Sequence, residues 1–166
     1  MKKAIIILSV TVTCAFTACN NKSSAVKEST TVNSDIMPSS GMGTISCGID
    51  GKDWTNDNAI ATQTGTSVLN IASGDDKTEA ISLIVNHPAG GNFILNDKAS
   101  GSYTDASGAS YGSANGSITI TKYIPPAGKT NGQVEGSFSG NFSFDPTKHH
   151  TITNGQFSMP VKNLYP

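Results

Sequence analysis

The chain has 166 residues, room for one domain with a real core once its ends are discounted, and only 14% of them are charged. All 11 basic residues are lysines, so a nucleic-acid binder would lack the guanidinium fork that grips phosphate and guanine, which argues against that class. The 17 glycines, set among many Ser, Thr and Asn residues, fit short strands joined by tight turns and not a helical bundle.

Residues 1–18 carry Lys2 and Lys3, an apolar run from Ala4 and small residues ahead of Cys19. The run is too short and too soon followed by polar sequence to span a bilayer, so it reads as a signal peptide. Thr17-Ala18-Cys19 resembles the lipobox of bacterial lipoproteins, where signal peptidase II cleaves before a cysteine that then carries diacylglycerol and an acylated amine. Phe16 stands where that family prefers Leu, and Cys14 competes poorly because Thr13 precedes it. The resemblance implies lipidation at Cys19. It also implies a lipid-anchored place in the bacterial cell envelope, in the outer membrane on its periplasmic or surface side. Three acyl chains hold firmly, at about 0.8 kcal/mol per buried methylene. Without the leader, nine lysines face 12 acids, a formal charge of −3.

Residues 19–43 begin with that cysteine and continue rich in Ser, Thr and Asn, without an aromatic residue. Such a stretch cannot bury enough apolar surface to order itself and is expected to be a tether, with ends roughly 25–30 Å apart. The folded domain is expected over residues 44–166.

At Thr44 alternation begins, with Ile45, Cys47 and Ile49 on one face. Cys47 shares parity with two isoleucines and reads as a buried small hydrophobe, not a nucleophile. Asp50-Gly51 is a type I′ hairpin signal, and Trp54 just beyond it is expected to cap or plug the core. Residues 58–63 are too short and unperiodic for a helix. Thr66 to Ala72 and Glu79 to Asn86 alternate around a Gly74-Asp75-Asp76 turn and are expected to pair antiparallel. Phe93 to Leu95 forms a short strand. Ser100 to Gly116, punctuated by Tyr103 and Tyr111, reads as two short edge strands around a turn or as a long loop. Ser117 to Tyr123 places Ile118 and Ile120 on one face, and Pro125-Pro126 ends it.

The strongest pattern runs from Gln133 to Val161. Val134, Phe138, Phe142 and Phe144 alternate with serines and asparagine at a period of two, so one face is buried. Asp145-Pro146 stops that strand, and Thr151 to Val161 returns as its partner. Ile152 is even but Phe157, Met159 and Val161 are odd, and the change of parity at Asn154-Gly155 predicts a β-bulge. Eight or nine short strands without a βαβ rhythm give an all-β fold, with an antiparallel β-sandwich expected and a flattened, partly open β-barrel as the alternative.

Three pieces together carry a resemblance: Asp50-Gly51-Lys52-Asp53-Trp54, the GSITIT run from Gly116 to Thr121, and TITNGQF from Thr151 to Phe157. They resemble small Bacteroidetes-type lipoproteins grouped as a domain of unknown function. The likeness implies an all-β, sandwich-like extracytoplasmic domain and brings no catalytic residues with it.

No enzyme motif emerges. GSFSG from Gly136 has Phe where a nucleophile elbow needs Ser. His87, His149 and His150 show no zinc-ligand spacing, and Asp50, Asp53 and Asp57 lack the ligand alternation of a calcium loop, so neither metal nor cofactor is expected. Glu79 and Glu135 are the only glutamates beyond the tether, and nothing in the sequence brings them together for glycoside hydrolysis. The expected role is a non-catalytic binding or interaction module, its partners the membrane and an envelope glycan or another envelope protein. Trp54, Tyr103, Tyr111 and Tyr123 could offer flat faces to a sugar ring, with Asp105 and Asn115 as hydrogen-bond partners. The competing expectation is that the tyrosines lend area to the core with wet hydroxyls. A barrel carrying a lipid inside is a further alternative.

Overall fold

The protein is described by a computed structural model over residues 42–73, 79–145 and 147–165. The expected signal peptide, Cys19, most of the expected tether, the expected Gly74-Asp75-Asp76 turn and Pro146 lie outside the described residues.

Nine strands and no helix make up the described fold: β1 (Gly43–Ile49), β2 (Lys52–Thr64), β3 (Val68–Ala72), β4 (Ala80–Asn86), β5 (Gly91–Ile94), β6 (Ala99–Thr104), β7 (Ser110–Ile124), β8 (Gly132–Asp145) and β9 (Lys148–Asn163). The expected first strand starts one residue early, at Gly43. Asp50 and Gly51 adopt φ of 49° and 81°, the two left-handed residues of a type I′ turn, and join β1 to β2. β8 and β9 form the expected long hairpin. Its register slips between Phe138↔Gly155 and Gly140↔Ile152, with Asn154 at φ 53°, so the bulge sits where parity changes.

The sandwich expectation is corrected. Pairing runs β6-β4-β3-β2-β1-β9-β8-β7, and β7 then pairs with β6, so eight strands close into an antiparallel β-barrel. β7 makes the closure possible. At 15 residues it pairs with β8 along one edge and with both β5 and β6 along the other. Ser100 to Gly116 holds the expected two strands around a turn, at 105–109, but they are not edge strands. β6 is sandwiched between β4 and β7, and the chain from Ser110 continues unbroken into the isoleucine run. β9 adds the last link, pairing with β1 and then, where β1 has not yet begun, running parallel to β2 at Ala61↔Val161.

The barrel interior is a packed core. Ile45, Leu69, Ile71, Leu83, Ile118, Val134 and Phe142 point inward and are essentially inaccessible. Glycines let strands and rings approach: a Cβ on Gly155 would lie 2.5 Å from the Phe138 ring.

Candidate functional site

The turns distribute to two ends. The β1–β2 and β6–β7 turns lie at one end, here the mouth, with the end of β3, the start of β4, the end of β8 and the start of β9, and the β2–β3, β4–β5 and β7–β8 connections lie at the other. At the mouth a cavity of about 300 Å³ is lined by Asp50, Lys52, Asp53, Trp54, Glu79, Tyr103 and His150, with Ile49 at its base.

Its centre is His150. The residue shares the parity of Ile152 across the paired strands and faces inward, where its ring meets Tyr111 edge-on at 4.4 Å and Tyr103 at 4.9 Å between centroids. His150 Nδ1 lies 2.6 Å from Asp50 Oδ2, while Asp50 Oδ1 accepts the Thr151 N–H at 2.8 Å. Partial burial pushes the Asp50 carboxyl up, but the Thr151 N–H and the imidazole outweigh it and hold it below the usual carboxylate value. The hairpin turn therefore supplies both a left-handed backbone and the carboxylate that fixes the imidazole.

Each tyrosine hydroxyl is given to a carboxylate. Tyr103 donates to Glu79 Oε1 at 2.7 Å and Tyr111 to Asp105 Oδ2 at 3.0 Å. Burial first, and then the negative charge of Glu79, raises the Tyr103 phenol well above its ordinary value. Asp105 also accepts from the Ser107 hydroxyl at 2.6 Å and the Ala109 N–H at 3.0 Å. The Ser107 hydroxyl leads, desolvation opposes it, and the bonds from the Ala109 N–H, the Tyr111 hydroxyl and the Ser107 N–H outweigh that cost, so the carboxyl falls to about 2.

Of the six residues expected from sequence, four gather here: Trp54 lines the cavity, Tyr103 walls it, and Tyr111 and Asp105 stand behind His150. Tyr103 and Tyr111 are 1% and 6% exposed, so their ring faces are covered and their hydroxyls are bonded, not wet. Trp54 is half-buried against the core. Asn115 and Tyr123 lie elsewhere. Asn115 accepts from Asn141 Nδ2 at 3.0 Å on the outer face of the barrel, and Tyr123 hydrogen-bonds Gln63 toward the opposite end. Sequence reasoning missed His150, Asp50 and Glu79. The parity shared by His150 and Ile152 was a usable signal, but Asp50 is 100 residues distant and carried none.

Chemically the mouth can bind, orient and exchange protons. A His–Asp pair activates a nucleophile only when one stands beside the imidazole. Here the ring's neighbours are two tyrosines whose hydroxyls are already committed. Cys47 is buried, and desolvation, with the Glu79 charge adding to it, pushes its thiol up to about 12. Among the described residues no cluster of three or more His, Cys, Asp or Glu side chains is arranged to hold a metal ion.

No curated protein and no solved structure matches the chain. A family model described as a domain of unknown function (DUF6252) matches residues 42–159, the span from the start of β1 to near the end of β9, and the chain belongs to that family.

Proposed function

We propose that the protein is a non-catalytic binding module, lipid-anchored through Cys19 in the bacterial envelope, that takes a hydroxyl-rich glycan fragment at the barrel mouth. The observation that carries the reading is the cavity itself, where the half-buried Trp54 meets Asp53 and Lys52 at an exposed rim and Glu79 and His150 deeper in. Apolar ring faces stack on the C–H side of a sugar, and carboxylates accept its hydroxyls. The committed hydroxyls of Tyr103 and Tyr111 and the buried thiol support binding over catalysis. The packed interior speaks against a lipid cargo.

The test is titration of the processed chain with envelope glycans and peptidoglycan fragments, followed through Trp54 fluorescence. A saturable change, weakened about tenfold by Asp53→Asn through loss of a charge-assisted hydrogen bond and unaltered by Ser139→Ala, is expected. Silence of the indole across all fragments overturns the glycan reading. Mass spectrometry of the first residue of the processed chain tests the anchor separately, since acyl mass on Cys19 is required.

A further inference from the structure

The two ends of the barrel differ in charge. Among the described residues the mouth carries Asp50, Asp53, Glu79, Asp105 and Asp145 against Lys52 and Lys148. The far end is built from turns 65–67, 87–90 and 125–131 and from residues 164–165 after β9, and none of these segments contains an Asp or Glu. Its unpaired charges are Lys129 in the 125–131 turn and Lys162 near the end of β9, both exposed and neither in an ion pair among the described residues, while exposed Asp97 and Lys98 beside the 87–90 turn offset each other.

The same end exposes large apolar side chains. Ile124, Leu164 and Tyr165 are 48%, 52% and 77% exposed. Register brings them together: Ile124 pairs with Gln133, Gly132 with Val161, and the Leu164 N–H donates to the Gln63 carbonyl at 3.0 Å. The described chain begins at Met42, next to the Gly43↔Ala59 pair in this half of the barrel.

We propose that this far end is a contact surface for an anionic lipid bilayer. Ile124, Leu164 and Tyr165 would sit at the boundary of headgroups and acyl chains, and Lys129 and Lys162 would lie at the headgroup phosphates. A membrane is favoured over a protein partner by charge complementarity acting along the whole barrel. An anionic surface attracts the lysine end and repels the five carboxylates of the mouth, so a single field orients the molecule. Each lysine near such a surface is worth about fivefold in affinity, so the contact is weak alone. This inference rests on the reading that Cys19 is acylated, because the tether turns a weak contact into an intramolecular one. The consequence is a barrel standing on the bilayer with its mouth turned away from it.

Cosedimentation tests the surface without the anchor. The processed chain from residue 19, carrying Cys19→Ala, is mixed with vesicles of phosphatidylcholine alone or with added phosphatidylglycerol. Binding to the anionic vesicles only, falling with salt and about 30-fold weaker in Lys129→Gln/Lys162→Gln, is expected. Leu164→Ser/Tyr165→Ser should weaken it as well, with circular dichroism of each variant retaining the β spectrum. Absence of binding to both vesicle types, or variants that bind like their parent, overturns the proposal. Failure of the anchor reads out elsewhere, as missing acyl mass on wild-type Cys19, so the two failures are distinguishable.

Discussion

At Asp105 one carboxylate organises a whole turn: it accepts from Ser107 and Ala109 and receives the Tyr111 hydroxyl that keeps the aromatic cluster in place. Its folded pKa of about 2 lies below the ordinary aspartate value of 3.8, so the unfolded chain binds more protons between those values. Stability from this group is therefore fully present above about pH 4 and is lost as pH falls toward 2. Asp50, also lowered, acts in the same direction. Asp105→Asn should be less stable than wild type at neutral pH yet lose stability less steeply on acidification. Urea midpoints from pH 6 to pH 2 check this, and parallel curves for the two proteins would remove the assignment. At this scale the sequence was half legible. The residue types at the mouth were visible, but parity cannot tell a ring that offers its face from one that buries it against a histidine.

Glycine placement decides what the strands can do. Gly155 lies opposite Phe138 at the bulge, and a methyl group there would meet both the ring and the Phe138 carbonyl at 2.5 Å. Gly112 on β7 faces open space and pairs with Ser102 and Ser143 in ordinary extended backbone. Gly155→Ala should cost about 1–3 kcal/mol, the range for overpacking a filled core. Gly112→Ala should be neutral or stabilise by about 0.4–1 kcal/mol, because it restricts only the unfolded chain. Denaturant midpoints of the pair provide the comparison, and equal effects would mean that the close approach at the bulge relaxes freely. Where strands carried large inward residues, as in β1, β4 and β8, the period of two was readable. β2 was not, since its inward positions near Gln63 are Ala59 and Ala61 while Ile60 points out. β7 was obscured by its own irregularity: register shifts between Ser113 and Asn115 and between Ile120 and Lys122 reverse the parity twice.

Closure belongs to the whole molecule, and it is the property the sequence hid best. Alternation reports which face of a strand is buried, and a sandwich and a small barrel bury the same faces. What separates them is pairing between segments distant in sequence, above all β9 with β1 and β2. A ring of this kind has no hydrogen-bonded unit that can detach without opening its neighbours, so the amides of β1, β8 and β9 are expected to exchange together through global unfolding. β5 is the exception. It lies at the end of the sheet order, is four residues long, pairs with β7 along one edge only and leaves Ile94 52% exposed. Its opening breaks a single four-residue ladder and uncovers only Phe93 among its side chains, and the ring remains closed through β6 when it leaves. Hydrogen exchange should therefore show β5 amides exchanging at least tenfold faster than those of β8, corresponding to an opening free energy more than about 1.4 kcal/mol below the global value. Equal protection of β5 and β8 would mean that the short strand is integral to closure, and the eight-strand ring would then need a ninth member.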